Sequence, residues 1–540
     1  MIVDDTEIRK RWGKYFNTVM NDGVSETVSE RGDSLVFEVE EQVQEITCDE
    51  VEKVLKKMKR GKAVGPDDIP VEVWKLMGKT GICWLTRLFN KMLKGDTMPE
   101  EWRSSYVIPL YKGKGDVQEC KNYRGIKLLS HTMKLWERVI EGRLRKITSV
   151  NENQFGFMPG KSTMEPIFIV RQLMEKFREA KKSMYLVFVD LEKAYDKVSR
   201  KVLWEVLNKK GIGSRYIEVV KDMYKDSKTS VRTVGGISEG FGVGIGVHQG
   251  SALSPYLFVL VMDELLKGNV SEVPWCMLFA DDMILIGETL EEVKERLQRV
   301  MHALESNGMK INRDKTEFMF CDWVGDGQVQ ELRVQEWNLN KVEQYKYLGS
   351  LVEEKGGVEK EIDARLQAGW NKWREVSGVL CDKSIPRRLR GKVYTTMVRP
   401  VMLYGAECWA VTGKQEHKVG VAEMRMLRGI FGVTRKDRFE NEYIREGMGV
   451  NCIEQKMREC RLRWYGHVNR KGSEEVVSRV RSLDLGVRRG RGRPKTSWGK
   501  VLEKDMAFCG LGRDMVWDRD EWRRSIKMPT LAKLGQRQGR

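Results

Sequence analysis

Two apolar stretches that stop at aspartates constrain the fold of this chain more than any other feature of its sequence. Met184–Val189 is an unbroken apolar run, and Asp190 follows it directly. Further along, two short apolar arms flank Asp281 and Asp282. A short apolar run predicts a buried strand, and two arms around a tight turn predict a β-hairpin. The sequence therefore predicts a buried sheet with three aspartates at the ends of its strands.

Helical patterns separate these strands. Ser254 and Pro255 are typical of an N-cap and a first helical position. Thr289 and Glu292 form a capping-box pattern in front of a helix with one apolar face. Residues 310–320 predict a final strand. The order of strand, helices, hairpin, helix and strand is close to a βαββαβ split unit, which is a helix-backed antiparallel sheet.

The aspartate pair is unusual for a hairpin turn. Two-residue turns prefer Asn-Gly or Asp-Gly because the turn needs positive φ, and local violations of such rules are often functional sites. Taken alone, Asp281-Asp282 is better explained by a solvated loop. Asp190 at the end of a second buried strand favours a site for two-metal phosphoryl transfer, because carboxylates on adjacent strands can bridge two Mg²⁺ ions.

Composition limits the class of protein. The chain has 540 residues and is 41% hydrophobic, which predicts about two to four domains. Its apolar runs are shorter than the roughly 18–20 residues that span a bilayer, and a signal-peptide pattern is absent. The ten cysteines include no Cys-x-x-Cys pair, which favours reduced thiols. A net charge of +18 predicts a polyanionic partner.

Seven short motifs follow one another through the middle of the chain. They are Asn122-Tyr-Arg-Gly-Ile-Lys-Leu-Leu-Ser130, Asn153-Gln-Phe-Gly-Phe-Met-Pro-Gly-Lys-Ser-Thr163, Phe188-Val-Asp-Leu-Glu-Lys-Ala-Tyr-Asp196, Gly246-Val-His-Gln-Gly-Ser-Ala-Leu-Ser-Pro255, Phe279-Ala-Asp-Asp282, Gly308-Met-Lys-Ile-Asn-Arg-Asp-Lys-Thr316 and Tyr347-Leu-Gly-Ser350. In this order and spacing, the chain from about Met98 to Val352 resembles the reverse transcriptases of non-LTR (LINE) retrotransposons, in particular an RTE-like clade.

This resemblance implies an α+β right-hand polymerase with fingers, a βαββαβ palm and a helical thumb, followed here by a helical basic C-terminal region. It implies that Asp190, Asp281 and Asp282 bind catalytic Mg²⁺, with Mn²⁺ as an alternative. Asp190 and Asp281 would be the principal ligands. Tyr195 matches the aromatic steric gate that excludes a ribose 2′-hydroxyl, although a core aromatic would explain it too.

The resemblance also implies roles around the nucleotide. Lys112 and Arg124 match fingers residues that contact the incoming triphosphate, and a solvated charge is a nearly equal explanation for Lys112. Gln249 and Gly250 match a loop that lies against template and nucleotide, where glycine permits close backbone approach. Lys315, with Lys310 as a weaker alternative, would protonate the leaving pyrophosphate.

We expect four regions. They are a helical N-terminal extension (1–90), reverse transcriptase fingers and palm (91–352), a helical thumb-like region (353–435) and a basic C-terminal region (436–540) with a linker at 486–495. Proteins of this family usually carry an N-terminal endonuclease, for which the first region is too short. We therefore expect a polymerase that does not nick its own target.

The expected function is RNA-directed extension of a primer 3′-hydroxyl with dNTPs during target-primed reverse transcription. The expected partners are an RNA template, a DNA primer with its target duplex, and dNTPs. A separate endonuclease acting in trans would supply the nick, and a membrane is not among the partners. We expect an intracellular protein, nuclear when acting on chromosomal DNA and cytoplasmic as a ribonucleoprotein.

The basic linker raises a separate DNA-binding hypothesis. Arg491 and Arg493 lie in an Arg-Gly-Arg-Pro stretch that looks like an AT-hook core, which enters narrow A·T-rich minor grooves. A solvated linker is the competing explanation. Two alternatives remain for the whole chain, namely a group II intron-type maturase and a catalytically inactive nucleic-acid-binding remnant of a retroelement.

Overall fold

The computed structural model describes residues 4–21, 43–269, 272–325, 331–486 and 495–527. The α-helices there are α1 (Asp5–Asn21), α2 (Cys48–Lys57), α3 (Val71–Lys94), α4 (His131–Ile147), α5 (Met164–Ala180), α6 (Ala194–Lys197), α7 (Arg200–Lys209), α8 (Ser214–Tyr224), α9 (Ser254–Leu265), α10 (Leu290–Glu305), α11 (Glu359–Glu375), α12 (Ser377–Leu380), α13 (Arg387–Val393), α14 (Arg399–Met402), α15 (Gly413–Phe431), α16 (Asn441–Met448), α17 (Ile453–Asn469), α18 (Val476–Ser482), α19 (Trp498–Cys509) and α20 (Arg519–Ser525).

The strands of the same ranges are short. They are β1 (Ser104–Tyr111), β2 (Tyr123–Leu128), β3 (Met184–Val189), β4 (Lys228–Thr233), β5 (Gly236–Ile237), β6 (Phe241–Gly242), β7 (Cys276–Phe279), β8 (Asp282–Gly287), β9 (Glu317–Cys321), β10 (Arg333–Val334), β11 (Trp337–Asn338), β12 (Asn340–Lys341), β13 (Gln344–Tyr347) and β14 (Ser350–Glu353).

The palm sheet has the strand order β12-β9-β3-β8-β7. Its β9, β3, β8 and β7 pair antiparallel, while β12 is parallel to β9. Strand β3 sends Val187 into the core shared with α9 and α10, and Leu186 and Phe188 into the core shared with α5. Burial on both faces explains why its sequence is apolar throughout. The predicted α+β class and βαββαβ palm are confirmed.

A second sheet lies beside the palm in the fingers region. Its order is β2-β1-β4-β5, with β6 also paired to β4. Strand β4 follows the palm strand β3 in sequence yet pairs parallel to β1. Helix α1 covers this sheet, where Phe16 and Met20 pack with Val107 and Val231. Strand β4 was not predicted, because its mostly polar sequence carries no strong apolar signal.

Two helix-cap predictions need correction. Ser254 is inside α9 rather than at its N-cap. Ser251 provides the acceptor instead, since its hydroxyl accepts the N–H groups of Leu253 and Ser254 at 3.1 Å. At α10, the Thr289 hydroxyl accepts the Glu292 N–H, but the Glu292 carboxylate accepts the N–H of Glu288 instead of that of Thr289, so only half of the capping box forms.

The final palm strand is shorter than predicted. It begins at Glu317 rather than at residue 310. A turn at residues 312–316 occupies the preceding positions, where the Thr316 N–H donates to the Asn312 carbonyl at 3.0 Å. This turn faces the end of β3, and it positions Lys315 beside the aspartates.

The helices at the C-terminal end pack onto the palm. Trp464, Trp498 and Trp522 join the core that contains α5 and one face of β3. The Trp498 backbone N–H also donates to the Glu175 carboxylate on α5. The boundaries predicted after residues 90 and 352 fall within α3 and β14. None of the helices in the described ranges has the length and apolar character needed to cross a bilayer.

Candidate active site

The pairing of β3 with β8 places two of the predicted aspartates side by side. The ladder runs to Val189 opposite Met283, so Asp190 and Asp282 are the next residues on the two strands. Directly opposed residues in an antiparallel pair project to the same face. Asp190 is held by its backbone, because its N–H donates to the Thr316 hydroxyl at 3.2 Å and its carbonyl accepts the Asn312 N–H at 2.8 Å.

The hairpin turn is shifted by one residue from the prediction. Phe279 pairs with Asp282, so Ala280 and Asp281 form the turn and Asp282 is the first residue of β8. Ala280 has φ +59°. Positive φ at the first turn position is typical of a type II′ turn and favours glycine. The prediction that Asp281 and Asp282 are the two turn residues was therefore wrong. The turn does need a positive φ, but Ala280 is the residue that adopts it.

The segment around residues 153–156 holds this strained turn. Phe155 donates its N–H to the Leu278 carbonyl at 2.8 Å, which adds the segment to the edge of β7. The Gln154 side-chain oxygen accepts the N–H groups of Gly156 at 2.9 Å and Ala280 at 3.1 Å. A Cβ on Gly156 would stand 2.3 Å from the Ala280 nitrogen. Gln154 and Gly156 were quoted as a motif, but sequence reasoning did not connect them to the aspartates.

We expect Gly156→Ala to destabilise the protein by about 1–3 kcal/mol, because the added methyl group meets backbone that cannot move aside. Gly142→Ala is the matched control. Gly142 is exposed on α4, and an added Cβ would have no described atom within 4 Å. Alanine there should stabilise the helix by up to about 1 kcal/mol. Urea unfolding of both variants measures the difference, and equal stabilities would contradict the packing argument.

Burial and mutual repulsion disfavour the charged forms of the two hairpin aspartates. Burial, followed by the charges of Asp281 and Asp190, raises the pKa of Asp282 to about 6. Burial and the Asp190 charge also raise the pKa of Asp281. The Lys315 ammonium opposes both shifts and lies 3.0 Å from the Asp190 carboxylate. Among the contacts described, Lys315 is therefore the one cation that offsets the negative charge of the three neighbouring carboxylates.

The donor chemistry of this group fits a hard divalent cation. All the side-chain atoms that could bind a metal here are carboxylate oxygens, which Mg²⁺ prefers as ligands. In the described part of the chain, no three His, Cys, Asp or Glu side chains already stand at positions that could hold one ion. Lys315 is instead paired with Asp190. A metal would therefore bind at Asp190, Asp281 and Asp282 only as the carboxylates turn and Lys315 moves away.

The raised pKa of Asp282 predicts a stability that depends on pH. The fold favours the protonated form of Asp282. Its stabilising contribution to the free energy of unfolding is therefore fully present below about pH 4 and is lost as pH rises through about 6. In the absence of divalent cations, Asp282→Asn should thus raise the free energy of unfolding at pH 7. The gain should stay below about 1 kcal/mol, because the protein encloses Asp282 only in part and water on its exposed side screens the charge.

Urea unfolding at pH 7 and at pH 4 tests this expectation. Asp314→Asn, on the exposed turn before Lys315, is the control and should change neither value. A gain for Asp282→Asn that is equal at both pH values would contradict the electrostatic origin.

Five cationic side chains, Lys112, Lys114, Arg124, Lys193 and Lys315, lie close enough for their charges to interact. Burial lowers the pKa of Lys112, and the charges of Lys315, Lys114, Lys193 and Arg124 lower it further. The structure therefore brings the predicted Lys112 and Arg124 toward Lys315 of the palm. Lys193 was not predicted, although it lies three residues after Asp190. Clustered cations of this kind are suited to a triphosphate.

Tyr195 lies between the carboxylates and the palm core. Its ring stacks on Phe258 with centroids 4.6 Å apart and an interplanar angle of 14°. Burial raises its pKa, and the Asp281 charge raises it further, which places the ring in the field of the site. The buried hydroxyl has no hydrogen-bond partner among the residues that the structure describes. The ring is thus fixed by stacking, and the hydroxyl is not required for that packing.

The predicted loop residues Gln249 and Gly250 are fixed by neighbouring protein groups. The Gln249 side-chain amide donates to both Asp196 carboxylate oxygens at 3.0 Å. The backbone carbonyl of Gln249 accepts the Lys127 N–H at 2.9 Å. Gly250 has φ +116°, and a Cβ there would be 2.4 Å from the Lys127 carbonyl oxygen. Close approach to β2 therefore requires glycine. Asp196 was quoted within a motif but was not predicted as the partner of Gln249.

The remaining predicted residues differ in whether the structure places them near the aspartates. Lys315 contacts Asp190, whereas Lys310 contributes its backbone carbonyl to the Glu192 N–H at 2.9 Å. Arg491 and Arg493 lie outside the described residues. The roles assigned to all these side chains remain predictions.

Known proteins are similar to this chain in sequence. The family model described as reverse transcriptase (RNA-dependent DNA polymerase) matches residues 112–352. The chain is 25% identical over 407 residues to the probable RNA-directed DNA polymerase from transposon BS of Drosophila melanogaster, covering 72% of this chain and 45% of that protein. It is 24% identical over 405 residues to the RNA-directed DNA polymerase from mobile element jockey of the same species, covering 72% and 44%.

A solved structure is similar at a lower level. Apo telomerase from Candida tropicalis aligns with a TM-score of 0.39 and 12% identity, covering 85% of this chain and 74% of that chain. The chain spans less than half the length of the curated relatives named above. The chain therefore contains a reverse transcriptase domain at residues 112–352, and over 72% of its length it is similar to proteins named as RNA-directed DNA polymerases of mobile elements.

Proposed function

We propose that this chain is an active RNA-directed DNA polymerase that extends a primer 3′-hydroxyl with dNTPs by two-metal phosphoryl transfer. The observation that carries the proposal is the β3–β8 register, which sets Asp190 beside Asp282 with Asp281 on the adjoining turn. Carboxylates grouped at the end of one sheet, opposite clustered cations, match the charges of a bound metal–triphosphate complex.

The chain's own residues divide the work of the reaction. Asp190, Asp281 and Asp282 would hold two divalent cations, which when bound would activate the primer hydroxyl and stabilise the leaving pyrophosphate. Lys112 and Arg124 bind the triphosphate, and the unpredicted Lys193 joins them. These residues orient the nucleotide, so the chemistry depends on positioning as well as on charge.

Two further side chains set selectivity and proton transfer. Tyr195 presents its fixed ring where a ribose 2′-hydroxyl would lie, and this excludes ribonucleotides. Lys315 leaves Asp190 when the carboxylates take up a cation, and its ammonium group is then free to give a proton to the leaving pyrophosphate. Its exposed position, with 61% of the side chain accessible, permits that movement.

The proposed substrates are an RNA template, a DNA primer and dNTPs, used in target-primed reverse transcription at a nicked target duplex. An endonuclease supplied in trans would make the nick. Copying a genomic target implies work in the nucleus, with a ribonucleoprotein in the cytoplasm beforehand.

Primer extension by the purified full chain tests the proposal. A 5′-labelled DNA primer annealed to RNA is incubated with dNTPs and Mg²⁺ or Mn²⁺. Extension should require dNTPs, a divalent cation and the template, and it should stop on chelation. A DNA template of the same sequence measures template preference. A chain that binds the primer–template but extends nothing with either metal would contradict the proposal.

One contact favours a second candidate function. The Lys315 ammonium pairs with Asp190 at 3.0 Å, where a metal ligand is expected. If that pair persists, the chain would bind nucleic acid without turnover. Lys315→Ala distinguishes the two functions. In an active polymerase this variant slows extension, whereas in a blocked one it permits metal-dependent extension that the unmodified chain lacks.

A further inference from the structure

A cavity of about 360 Å³ in the helical region after the palm has four arginines among its lining residues. It lies between α15, α16 and α17, away from the aspartates in sequence. Arg425, Arg428, Arg435 and Arg445 line it. Glu454 carries the single carboxylate among the lining residues described. The cavity therefore has the charge of a site for an anion.

Arg445 is the buried member of this group. Its side chain is 10% exposed, and its Nε has no hydrogen-bond partner within the described residues. The guanidinium approaches the carboxylates of Glu423 and Glu454 at 3.9 Å, which is beyond hydrogen-bond distance. Glu423 is already engaged by Arg399 at 2.6 Å. A buried guanidinium with unused donors is costly, so a bound anion would satisfy it.

The opening beside α15 depends on a glycine. Gly420 lines the cavity inside that helix, and a Cβ there would stand 1.8 Å from a Glu454 carboxylate oxygen. Glycine weakens a helix interior. Its presence lets Glu454 rest against the helix and leaves the arginine side of the cavity open.

An exposed aromatic pair stands beside the arginines. Phe439 and Tyr443 are 41% and 52% exposed, and their rings stack with centroids 5.4 Å apart at an angle of 13°. Arg428 ties this pair to the cavity, because its guanidinium donates to the Phe439 carbonyl at 2.8 Å and to the Asn441 side chain at 3.0 Å. Exposed aromatic faces next to a cationic groove are the combination that binds single strands.

We propose that this arginine cavity and the Phe439–Tyr443 pair form a binding site for single-stranded nucleic acid, separate from the polymerase site. A backbone phosphate enters the cavity and meets Arg445, while a neighbouring base stacks on the exposed aromatic pair. The exposed Arg425 and Arg435 contact adjacent phosphates. An acidic protein segment would use the cations but not the aromatic faces, so nucleic acid accounts for more of the surface.

The test measures single-strand binding while the polymerase site is filled. A fluorescein-labelled oligonucleotide of about 12 nucleotides, either RNA or DNA, is titrated with the full chain in saturating unlabelled primer–template duplex. The double variant Arg425→Gln/Arg435→Gln should reduce the slope of log K against log salt by about 1.4, since each phosphate contact to a single strand contributes about 0.7. Lys414→Gln, an exposed charge on α15 outside the cavity, is the control and should keep the slope.

The aromatic contact has its own variant. Phe439→Leu should weaken binding about tenfold through loss of a stacked base. Phe508→Leu, which removes a ring that is 64% exposed on α19, should not. All of these side chains lie outside the palm, and extension of a short primer–template should stay unchanged in every variant.

Each outcome decides the proposal. The proposal would be overturned by an unchanged salt slope in the double arginine variant together with unchanged affinity in Phe439→Leu. Loss of all single-strand binding when duplex fills the polymerase site would also overturn it. Displacement of the oligonucleotide by poly-glutamate as effectively as by unlabelled strand would also overturn it, in favour of an acidic protein partner. Whichever oligonucleotide binds more tightly, RNA or DNA, identifies the kind of single strand that the site prefers. Because single-strand binding is measured without turnover, the result does not depend on whether the polymerase is active.

Discussion

Asp281→Ala is expected to reduce primer extension by about 10³-fold or more. Asp281 occupies the turn that Gln154 and Gly156 hold in place, so alanine removes the carboxylate without removing the support of the turn. Loss of a metal-binding carboxylate forfeits several kcal/mol of transition-state stabilisation, and each 1.36 kcal/mol corresponds to about a factor of ten in rate. Single-turnover extension with saturating dNTP measures the change.

Binding and folding must be shown to survive in that variant. Fluorescence anisotropy with labelled primer–template should give an affinity close to that of the unmodified chain. Asp314→Ala removes an exposed aspartate from the turn that carries Lys315, and it should leave extension within a factor of about two. Comparable extension by the Asp281 and Asp314 variants would refute the proposed metal site.

Tyr195→Val should increase ribonucleotide incorporation relative to deoxynucleotide by about 10- to 100-fold. The ring is held by stacking on Phe258, so it cannot turn aside for a 2′-hydroxyl without losing that contact. Forcing extra atoms against a packed side chain costs about 1–3 kcal/mol, which sets the size of the discrimination that valine removes. Competition between matched rNTP and dNTP in primer extension gives the ratio of kcat/KM values directly.

Tyr195→Phe is the matched control for the steric argument. The tyrosine hydroxyl has no partner within the described residues, so phenylalanine keeps the ring and its packing. Its discrimination should match that of the unmodified chain. If phenylalanine relaxed the selection as much as valine did, the hydroxyl rather than the ring would be the selecting group.

Local sequence patterns predicted the palm because its strands are buried on both faces. The apolar run before Asp190 and the two arms around the aspartate pair need no distant information to be recognised. The same holds for the one-sided apolar helix α10. Periodicity failed at β4, whose partner β1 lies more than a hundred residues earlier in the chain. It also failed at residues 310–316, where a turn interrupts the apolar pattern.

The sequence by itself therefore determined which carboxylates end the buried strands and that a cationic, sheet-based protein was to be expected. Tertiary structure decided the register that puts Asp190 beside Asp282 and the one-residue shift that gives Ala280 the positive φ. It also decided the grouping of Lys193 with Lys112, and that of Arg445 with the arginines around its cavity. The physical reason is that the periodicity of buried residues can be recognised from neighbours in the sequence. Register, close backbone approach and charge clustering instead depend on contacts between segments that are distant in the sequence.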